Sequence, residues 1–398
     1  MGERKLKKTR LTRKIAAAAV MLFMMVSFVA CGTKAPETKE MGVALITSAA
    51  GPNDNGYNAS AIKGLEKVKK DLGLDYRVVE SSDVPGSLTE LAKAGYKLIF
   101  SLEYNFDALI NGVGGGKPIA EQYPDTTFVV FNDNPNVNAD GSVKHKNVIS
   151  VLFDVHQSSF LAGALSVLVN ENASTLFDST KYSFTAGDAG RKLGFFGGTK
   201  SNGITVFGYG YAEGANYEAA KLGVKYSYIS DYNVGFSDSA AGATKANTYY
   251  SDGVNIIYSV AGAVGDGVTS KAKEVKKLAI EVDANKDANQ AGYILTSVLK
   301  NTEVPVYTIS EKYKTGKMAD VTGKVISYDL GSKATGITDL TTIEAAVQAS
   351  GKAKWEEIKK EINDVEAKIA AGTIKVTNAQ AGEAFDKAKL TNVTMPND

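Results

Sequence analysis

The hydrophobic pattern is clearest in one stretch near the amino terminus, residues 42–80. Its apolar run Val43–Ile46 is typical of a buried parallel strand. A loop rich in Gly, Pro and Asn follows, and then apolar residues recur at three- and four-residue spacing up to Gly73, as in an amphipathic helix closed by a C′ glycine. The positions with this spacing are Ala61, Leu65, Val68 and Leu72. Because ligands of open α/β sheets bind beyond the carboxyl ends of the strands, this β-loop-α unit predicts a small-molecule site at residues 48–58.

A second stretch, residues 193–229, repeats the order of this unit. It contains an apolar strand, a Gly/Ser/Asn loop, an aromatic residue, a helix ending in Leu-Gly and a Tyr-rich strand. In both stretches the first glycine lies seven residues after the aromatic residue, and the second lies nine residues further on. The aromatic residues are Tyr57 and Phe207, and the glycines are Gly64, Gly73, Gly214 and Gly223.

The shared spacing makes Tyr57 and Phe207 equivalent positions in two similar lobes. If the lobes meet at a cleft, the two rings close from opposite sides and suit a flat heterocycle, because stacked rings favour offset parallel contact. The alternative is that each ring packs against the start of its own helix. The matched spacing favours the cleft.

Strands and amphipathic helices alternate along most of the chain, which predicts an α/β protein with doubly wound parallel sheets. At 398 residues the chain exceeds the roughly 250–300 residues that one hydrophobic core usually serves, so two lobes are expected. The pattern places a first crossing between lobes at Val148–Phe153, a second near Asp283 and a third within 319–331. The predicted N-terminal lobe contains residues 41–153 and 284–328, and the predicted C-terminal lobe, with the terminal helices, contains 154–283 and 329–398.

The amino terminus has the pattern of an export signal. Seven basic residues precede an apolar run at 15–30, which is short for a membrane span of about 20 residues and typical of a signal-peptide core. Cys31 is the single cysteine and follows a small residue at the end of this run. It is either an isolated buried thiol or, because its surroundings resemble a bacterial lipobox, the lipidated first residue of the mature protein. The second interpretation predicts a signal peptide at 1–30, a membrane-anchored tether at 31–40 and an extracytoplasmic location.

Charge and composition argue against several classes of function. The formal net charge is +1, but the leader carries seven basic residues and one acidic residue, so the mature body is acidic and a nucleic-acid partner is not expected. The two histidines, His145 and His156, have no evident catalytic partner in the sequence, which also lacks a nucleophile elbow and a metal-ligand cluster. We expect no catalytic residue, no metal and no cofactor.

Two short runs are partial matches to phosphate or ion loops. The run GVGGG followed by Lys117 lacks the first glycine and the Ser/Thr of a phosphate-binding loop. The residues Asp283, Asn285 and Asp287 begin like a calcium loop, but Ala288 and Ile294 stand where glycine and a bidentate glutamate are required. Neither run predicts a bound ion.

Over residues 43–376 the chain resembles the basic membrane protein family of substrate-binding lipoproteins, whose best-understood type is the purine nucleoside receptor. The resemblance is specific because its motifs occur as a set in this order. They are NDNGYN (53–58), SSFLAG (158–163), GFFGG with a later F-x-x-G-Y (194–211), GFSD (235–238), AGAVGDGV (261–268), EVDANKD (281–287), TSVLK (296–300) and AAGTIKV (370–376).

The resemblance implies a type I periplasmic-binding-protein fold, in which two lobes joined by three crossovers close like a hinge on the ligand. It also implies delivery of a nucleoside, purine in the best-understood type, to an ABC importer with permease and ATPase subunits. In the family two aromatic residues hold the base, and the matching positions are Tyr57 and Phe207. The ribose-binding aspartate and a nearby lysine match Asp283 and Lys300, and a carboxylate suits a sugar because it accepts hydrogen bonds from two vicinal hydroxyls.

Further positions extend the expected site. Ser48 and Asn132 stand where the family commonly has base-binding aspartates, and Asp133 is a neighbouring substitute for the second. Serine donates as well as accepts hydrogen bonds, whereas a carboxylate only accepts them, so a different base or tautomer can be preferred. For Asp283 the alternative role is a strand-end cap or a hinge ion pair. The remaining expected ligand contacts are Asp54, Asn58 and Gly262.

Other functions compete with nucleoside transport. Riboflavin also presents a flat ring and a hydroxylated chain, and a lipid-anchored sensor would pass its ligand state to a membrane kinase instead of an importer. A nucleoside hydrolase is disfavoured because catalytic residues are not evident, and a repressor is disfavoured because a secreted lipoprotein lacks a DNA-binding headpiece. We expect a monomer that binds a small molecule.

Overall fold

The structure is a computed structural model and describes residues 42–103 and 105–396. The predicted signal peptide, Cys31 and the tether lie outside the described residues. Within the described ranges, no helix combines the length and apolar character that crossing a membrane requires.

The strands alternate with helices along the chain, as the hydrophobic pattern predicted. The strands are β1 (Val43–Ile46), β2 (Tyr76–Val79), β3 (Leu98–Ser101), β4 (Thr127–Phe131), β5 (Val148–Phe153), β6 (Lys192–Gly197), β7 (Tyr226–Asp231), β8 (Ile256–Val260), β9 (Leu278–Asp283), β10 (Ile294–Lys300), β11 (Val325–Tyr328), β12 (Thr335–Ile337) and β13 (Val393–Thr394). The α-helices are α1 (Tyr57–Lys67), α2 (Val84–Lys93), α3 (Asp107–Ile110), α4 (Ile119–Gln122), α5 (Val155–Glu171), α6 (Ala173–Leu176), α7 (Asn202–Leu222), α8 (Ser239–Ser251), α9 (Ala263–Glu274), α10 (Glu303–Lys314), α11 (Thr341–Glu344) and α12 (Lys352–Ala370).

These strands form two sheets, one in each lobe. The N-terminal sheet has the order β11-β5-β4-β3-β1-β2 and is parallel throughout. The C-terminal sheet has the order β12-β10-β9-β8-β6-β7-β13, in which β12 is antiparallel to β10 and the other pairs are parallel. The predicted two-lobed α/β fold of the type I periplasmic-binding class is confirmed.

Strand β1 illustrates why the sheets are covered on both faces. Its side chains alternate, so Val43 and Leu45 pack with apolar residues of α1, whereas Ala44 and Ile46 pack with those of α2. All four residues are fully buried, which explains the continuous apolar run in the sequence. The carboxyl end of each strand then leads into a loop at the same edge of the sheet.

The chain crosses between the lobes three times within the described residues: after β5, between β10 and α10, and between β11 and β12. The first and third crossings lie where the sequence pattern predicted them. The second prediction is wrong, because β10 pairs with β9 in the C-terminal sheet and residues 284–300 therefore belong to the C-terminal lobe. The chain returns to the N-terminal lobe only at α10, where the backbone of Glu303 packs against Gly64 of α1.

In the C-terminal lobe, helices α5 and α7 cross at backbone contact. A Cβ atom on Gly163 would lie 2.0 Å from the carbonyl oxygen of Tyr211, and one on Gly214 would lie 1.9 Å from that of Phe160. Both glycines are required because any larger residue would force the helices apart. The contact fixes α7, which carries Phe207, relative to the first crossing at the start of α5.

The GVGGG run and the charged pattern near the carboxyl terminus have the structures expected from the sequence. The GVGGG run lies between the short helices α3 and α4, as a loop. The charged pattern at 341–371 forms α11, a 3₁₀ turn at Ala349–Gly351 and α12, so the helix is interrupted before Gly351. Trp355 is fully buried in the hydrophobic core, as expected, and its Nε1 donates to Glu344 Oε2 at 3.3 Å.

Candidate functional site

Lys300 lies close to the rings of both spacing-matched aromatic residues. It is the last residue of β10 and is 6% exposed. Its Nζ lies 4.9 Å from the ring centroid of Tyr57, 5.7 Å from that of Phe207 and 5.8 Å from that of Phe153. Tyr57 belongs to the N-terminal lobe and Phe207 to the C-terminal lobe, so the structure brings the two spacing-matched rings to one point.

The ammonium of Lys300 is costly to keep in this apolar surrounding. Burial lowers its pKa to about 8, and the negative charge of Asp283 opposes part of this shift. Among the described residues its Nζ has neither a hydrogen-bond acceptor nor a carboxylate within ion-pair distance. Attraction to the three ring faces offsets part of the desolvation.

Asp283 ends β9 beside Lys300. Burial raises the pKa of its carboxyl group; Lys300 and Lys286 oppose this shift, and Asp54 adds to it. Its backbone is left-handed, with φ of 73°, a conformation that Asp and Asn tolerate better than most residues. Within the described chain its carboxylate makes no hydrogen bond, in contrast to the strand-end cap considered from the sequence.

The two lobes touch at this aspartate. A Cβ atom on Gly56, in the loop before α1, would lie 3.5 Å from Asp283 Cβ and 3.6 Å from Asp283 Oδ2. The loop before α1 in the N-terminal lobe therefore lies close enough to Asp283 that a side chain at position 56 would contact it.

The orientation of the Tyr57 ring is fixed by its hydroxyl group. Asn132 Nδ2 donates to Tyr57 Oη at 2.7 Å, and Tyr57 Oη lies 3.4 Å from the carbonyl oxygen of Leu102, to which it donates. Asn132 follows β4 and has a left-handed backbone, with φ of 66°. The Tyr57 backbone is held as well, because Thr302 Oγ1 at the second crossing donates to its carbonyl oxygen at 2.7 Å.

Three predicted ligand residues, Ser48, Asp54 and Asn58, bond to one another around the start of α1. Asp54 accepts hydrogen bonds from the backbone N–H groups of Gly56, Asn58 and Ala59 and from Asn58 Nδ2, all within 3.0 Å. Asn58 Oδ1 in turn accepts from the N–H of Ser48, and Asn58 Nδ2 donates to Ser48 Oγ. Asp54 is thus a carboxylate cap at a helix N-terminus, where negative charge is stabilised.

The remaining predicted positions behave differently. Asp133 is exposed, and its carboxylate accepts from the N–H of Asn134 at 2.8 Å. Gly262 precedes α9 with φ of 54°, and a Cβ atom there would lie 2.8 Å from the carbonyl oxygen of Phe236, so only glycine fits. The structure therefore gives Gly262 a backbone role at the edge of the C-terminal sheet.

In the run that resembles a calcium loop, residues 283–287, charged side chains bond to other groups of the protein. Lys286 Nζ lies 3.3 Å from Glu281 Oε2, and both side chains are buried. Burial raises the pKa of Glu281 to about 7, against the opposing charge of Lys286. Asp287 accepts from Ser297 Oγ at 2.6 Å. Across the residues that the structure describes, no group of three or more acidic, His or Cys side chains is arranged to hold a metal ion.

Sequence reasoning missed two residues of the site. Phe153 forms the third ring around Lys300, but it ends a largely apolar strand and has the pattern of an ordinary core residue. Gln380, near the carboxyl terminus, donates through Nε2 to the backbone carbonyl of Asn132. The sequence has no signal for this contact, because it joins residues 248 positions apart.

The family follows from a comparison of the whole sequence. A model of the family Bmp, described as ABC transporter substrate-binding protein PnrA-like, matches residues 42–380. The chain belongs to this family. It is a substrate-binding protein of an ABC transporter and not an enzyme.

Curated relatives agree with this assignment. The ABC transporter nucleoside-binding protein BmpA of Lactococcus lactis subsp. cremoris is 28% identical over 349 residues, which cover 80% of this chain and 89% of the relative. Basic membrane protein B of Borreliella burgdorferi is 28% identical over 309 residues, which cover 73% of this chain and 79% of the relative.

Solved structures share the fold. An ABC transporter solute-binding protein from Aeropyrum pernix K1 superposes with a TM-score of 0.68 at 22% identity, covering 84% of this chain and 92% of that protein. A protein from Bacillus halodurans described as a transcriptional activator of the comK gene gives a TM-score of 0.60 at 18% identity, covering 82% and 96%. At these identities the likeness shows the fold alone.

Proposed function

We propose that this protein captures a nucleoside, with purine as the preferred base, between its two lobes for an ABC importer. The observation that carries the proposal is the pair formed by Lys300 and Asp283. The Lys300 side chain is buried and Asp283 is partly buried beside it, and neither side chain makes a hydrogen bond within the described chain. Buried charges without hydrogen bonds are costly, so a ligand that supplies partners for both gains affinity.

A vicinal diol has the chemistry that this pair lacks. Each hydroxyl group has a proton to donate to the carboxylate of Asp283, and each oxygen has lone pairs to accept from the ammonium of Lys300. A ribose carries two such hydroxyls side by side. The sugar is therefore assigned to the Asp283 and Lys300 side of the cleft.

The rings of Tyr57 and Phe207 suit the base. They approach Lys300 from opposite lobes, so a planar heterocycle held next to the sugar would contact a ring face on each side. Ser48, Asn132 and Asp133 lie in the loops that follow β1 and β4, and we assign them to the edge of the base. A serine hydroxyl and an asparagine amide both donate and accept, which fits the mixed donors and acceptors of a purine edge.

The partners and location belong to the same proposal. Lipidation of Cys31 would anchor the protein at the extracytoplasmic face of the cell membrane, with residues 31–40 as a tether, and the loaded monomer would dock on permease subunits driven by an ATPase. The proposal is supported by the family and by the nucleoside-binding name of the relative from Lactococcus lactis. Mass spectrometry of the protein purified from membranes tests the diacylglyceryl modification at Cys31.

Calorimetric titration with adenosine, guanosine, uridine, the free bases and riboflavin tests the ligand. We expect purine nucleosides to bind more tightly than uridine and than the corresponding free bases. Tight binding of riboflavin with weak binding of every nucleoside would overturn the proposal. Equal affinity for nucleosides and free bases would contradict the assignment of the sugar to Asp283 and Lys300.

A further inference from the structure

The last described residues, 374–396, form a C-terminal strap that is fastened to helix α7. Thr377 donates through its N–H and Oγ1 to the carboxylate of Glu213, at 2.9 and 2.6 Å. Further along, the ring of Phe385 stacks on that of Tyr209, with centroids 4.0 Å apart and planes 2° from parallel. The strap then pairs with the C-terminal sheet through β13 and β7. It is therefore part of the C-terminal lobe.

Gln380 connects this strap to the N-terminal lobe. The residue is partly buried, and its Nε2 donates to the carbonyl oxygen of Asn132, which follows β4 in the N-terminal sheet. Asn132 also donates through its side chain to Tyr57 Oη. The strap is thus linked through one residue to the tyrosine that flanks Lys300.

A hydrogen bond between the lobes depends on how far they are closed. Rotation about the three crossings carries Asn132 with one sheet and α7 with the other, so the Gln380 contact is lost when the cleft opens. The bonds of Thr377 and the stack of Phe385 stay within the C-terminal lobe and are unaffected. The contact of Gln380 therefore lowers the free energy of the closed state alone, and this stabilisation shifts the population toward that state.

We propose that Gln380 is a positioning residue that latches the closed cleft and slows ligand release. The proposal rests on the function proposed above. Because the bond forms only after the lobes have met, its loss affects the dissociation rate of the ligand and leaves the association rate nearly unchanged. One hydrogen bond of ordinary strength corresponds to about a 2- to 10-fold change in the closed population.

The test compares glutamines that make the same type of bond in different places. Gln380→Ala removes the contact between lobes. Gln348→Ala is the matched control, because Gln348 Nε2 also donates to backbone carbonyls, those of Ser174 and Thr175, but within one lobe. Gln122→Ala is the control in the N-terminal lobe, where Gln122 Nε2 donates to the carbonyl oxygen of Lys117.

Stopped-flow kinetics with guanosine gives the decisive readout on the full-length protein. We expect Gln380→Ala to raise the dissociation rate constant about 2- to 10-fold, with an association rate constant close to that of the wild type. Gln380→Glu, which cannot donate, should behave like the alanine variant, whereas Gln380→Lys, which keeps a donor, should recover part of the slow release. Gln348→Ala and Gln122→Ala should bind and release guanosine with the rate constants of the wild type.

The proposal is overturned if Gln380→Ala releases guanosine at the wild-type rate, or if Gln348→Ala accelerates release to the same extent. Small-angle scattering without ligand separates this outcome from a failure of the proposed function. Gln380→Ala should have a larger radius of gyration than the wild type and than Gln348→Ala, whether or not nucleosides bind. Equal radii would reject the latch.

Discussion

Lys300 Nζ lies 4.9 Å from the ring centroid of Tyr57, although the two residues belong to different lobes. The ammonium lies near rings from both lobes and feels the negative charge of the partly buried Asp283, yet its pKa is lowered to about 8 because burial outweighs these attractions. The site therefore combines two charged groups that can hydrogen-bond to a ligand, Lys300 and Asp283, with the ring faces of Tyr57 and Phe207. The roles of the charges and of the rings can be tested separately.

Replacing Tyr57 with alanine should weaken every ring ligand. The change removes one aromatic face of the cleft, and we expect a loss of about 10- to 100-fold for nucleosides and free bases alike, measured by calorimetry. Tyr57→Phe is the control, since it keeps the ring and removes the hydroxyl group that bonds to Asn132 and Leu102. A Tyr57→Ala variant with wild-type affinity for purines would show that this ring does not contact the base.

Replacing Asp283 with asparagine should affect nucleosides alone. The amide keeps the shape and tolerates the left-handed backbone of this position, but it lacks the charge that strengthens hydrogen bonds from hydroxyl groups. We expect affinity for nucleosides to fall about 10- to 100-fold and affinity for free bases to stay within about 2-fold. Titration of both ligand classes against one preparation makes this comparison, and equal losses would contradict the sugar assignment.

The affinity for nucleosides should fall as the pH rises above about 8. Sugar oxygens accept hydrogen bonds from the protonated form of Lys300, whose pKa in the free site is about 8, so binding favours protonation. The contribution of Lys300 to affinity is then constant below this pH as long as Asp283 stays ionised, and it decreases as the lysine loses its proton. Binding takes up protons near pH 8. Calorimetry in buffers of different ionisation enthalpy measures this uptake. Lys300→Met should bind more weakly and show no proton uptake there.

Alanine at Gly163 should destabilise the C-terminal lobe. Its Cβ atom would lie 2.0 Å from a backbone oxygen of α7, and backbone cannot move aside as a side chain can. We expect the free energy of unfolding to fall by about 3 kcal/mol in urea denaturation. Gly265→Ala, in helix α9, is the comparison, because its Cβ atom would meet side-chain oxygens of Glu281 at 3.1 Å. A Gly163→Ala loss no larger than that of Gly265→Ala would disprove the required backbone contact.

The local sequence pattern was sufficient to predict the strands and helices of the two repeated units. Apolar runs, helical spacing and terminal glycines depend on neighbours in the chain, so β1 with α1 and β6 with α7 could be predicted, and with them the equivalence of Tyr57 and Phe207. The capping role of Asp54 was also within reach, since an aspartate shortly before a helix is a cap signal. The family resemblance of its motif points to the ligand instead, and the hydrogen bonds of Asp54 in the structure are those of a cap.

The sequence by itself determined the elements, the two-lobed class and the edge where the loops gather, because these follow from periodicity and from the short range of backbone hydrogen bonding. Only the tertiary structure decided that β10 joins the C-terminal sheet, that Phe153 faces Lys300 and that Gln380 reaches Asn132. The first is a choice between two sheets, the second selects one face of a largely apolar strand, and the third joins residues far apart in the sequence. Such choices depend on the packing of the whole chain, and hydrophobic spacing within a segment carries no information about them.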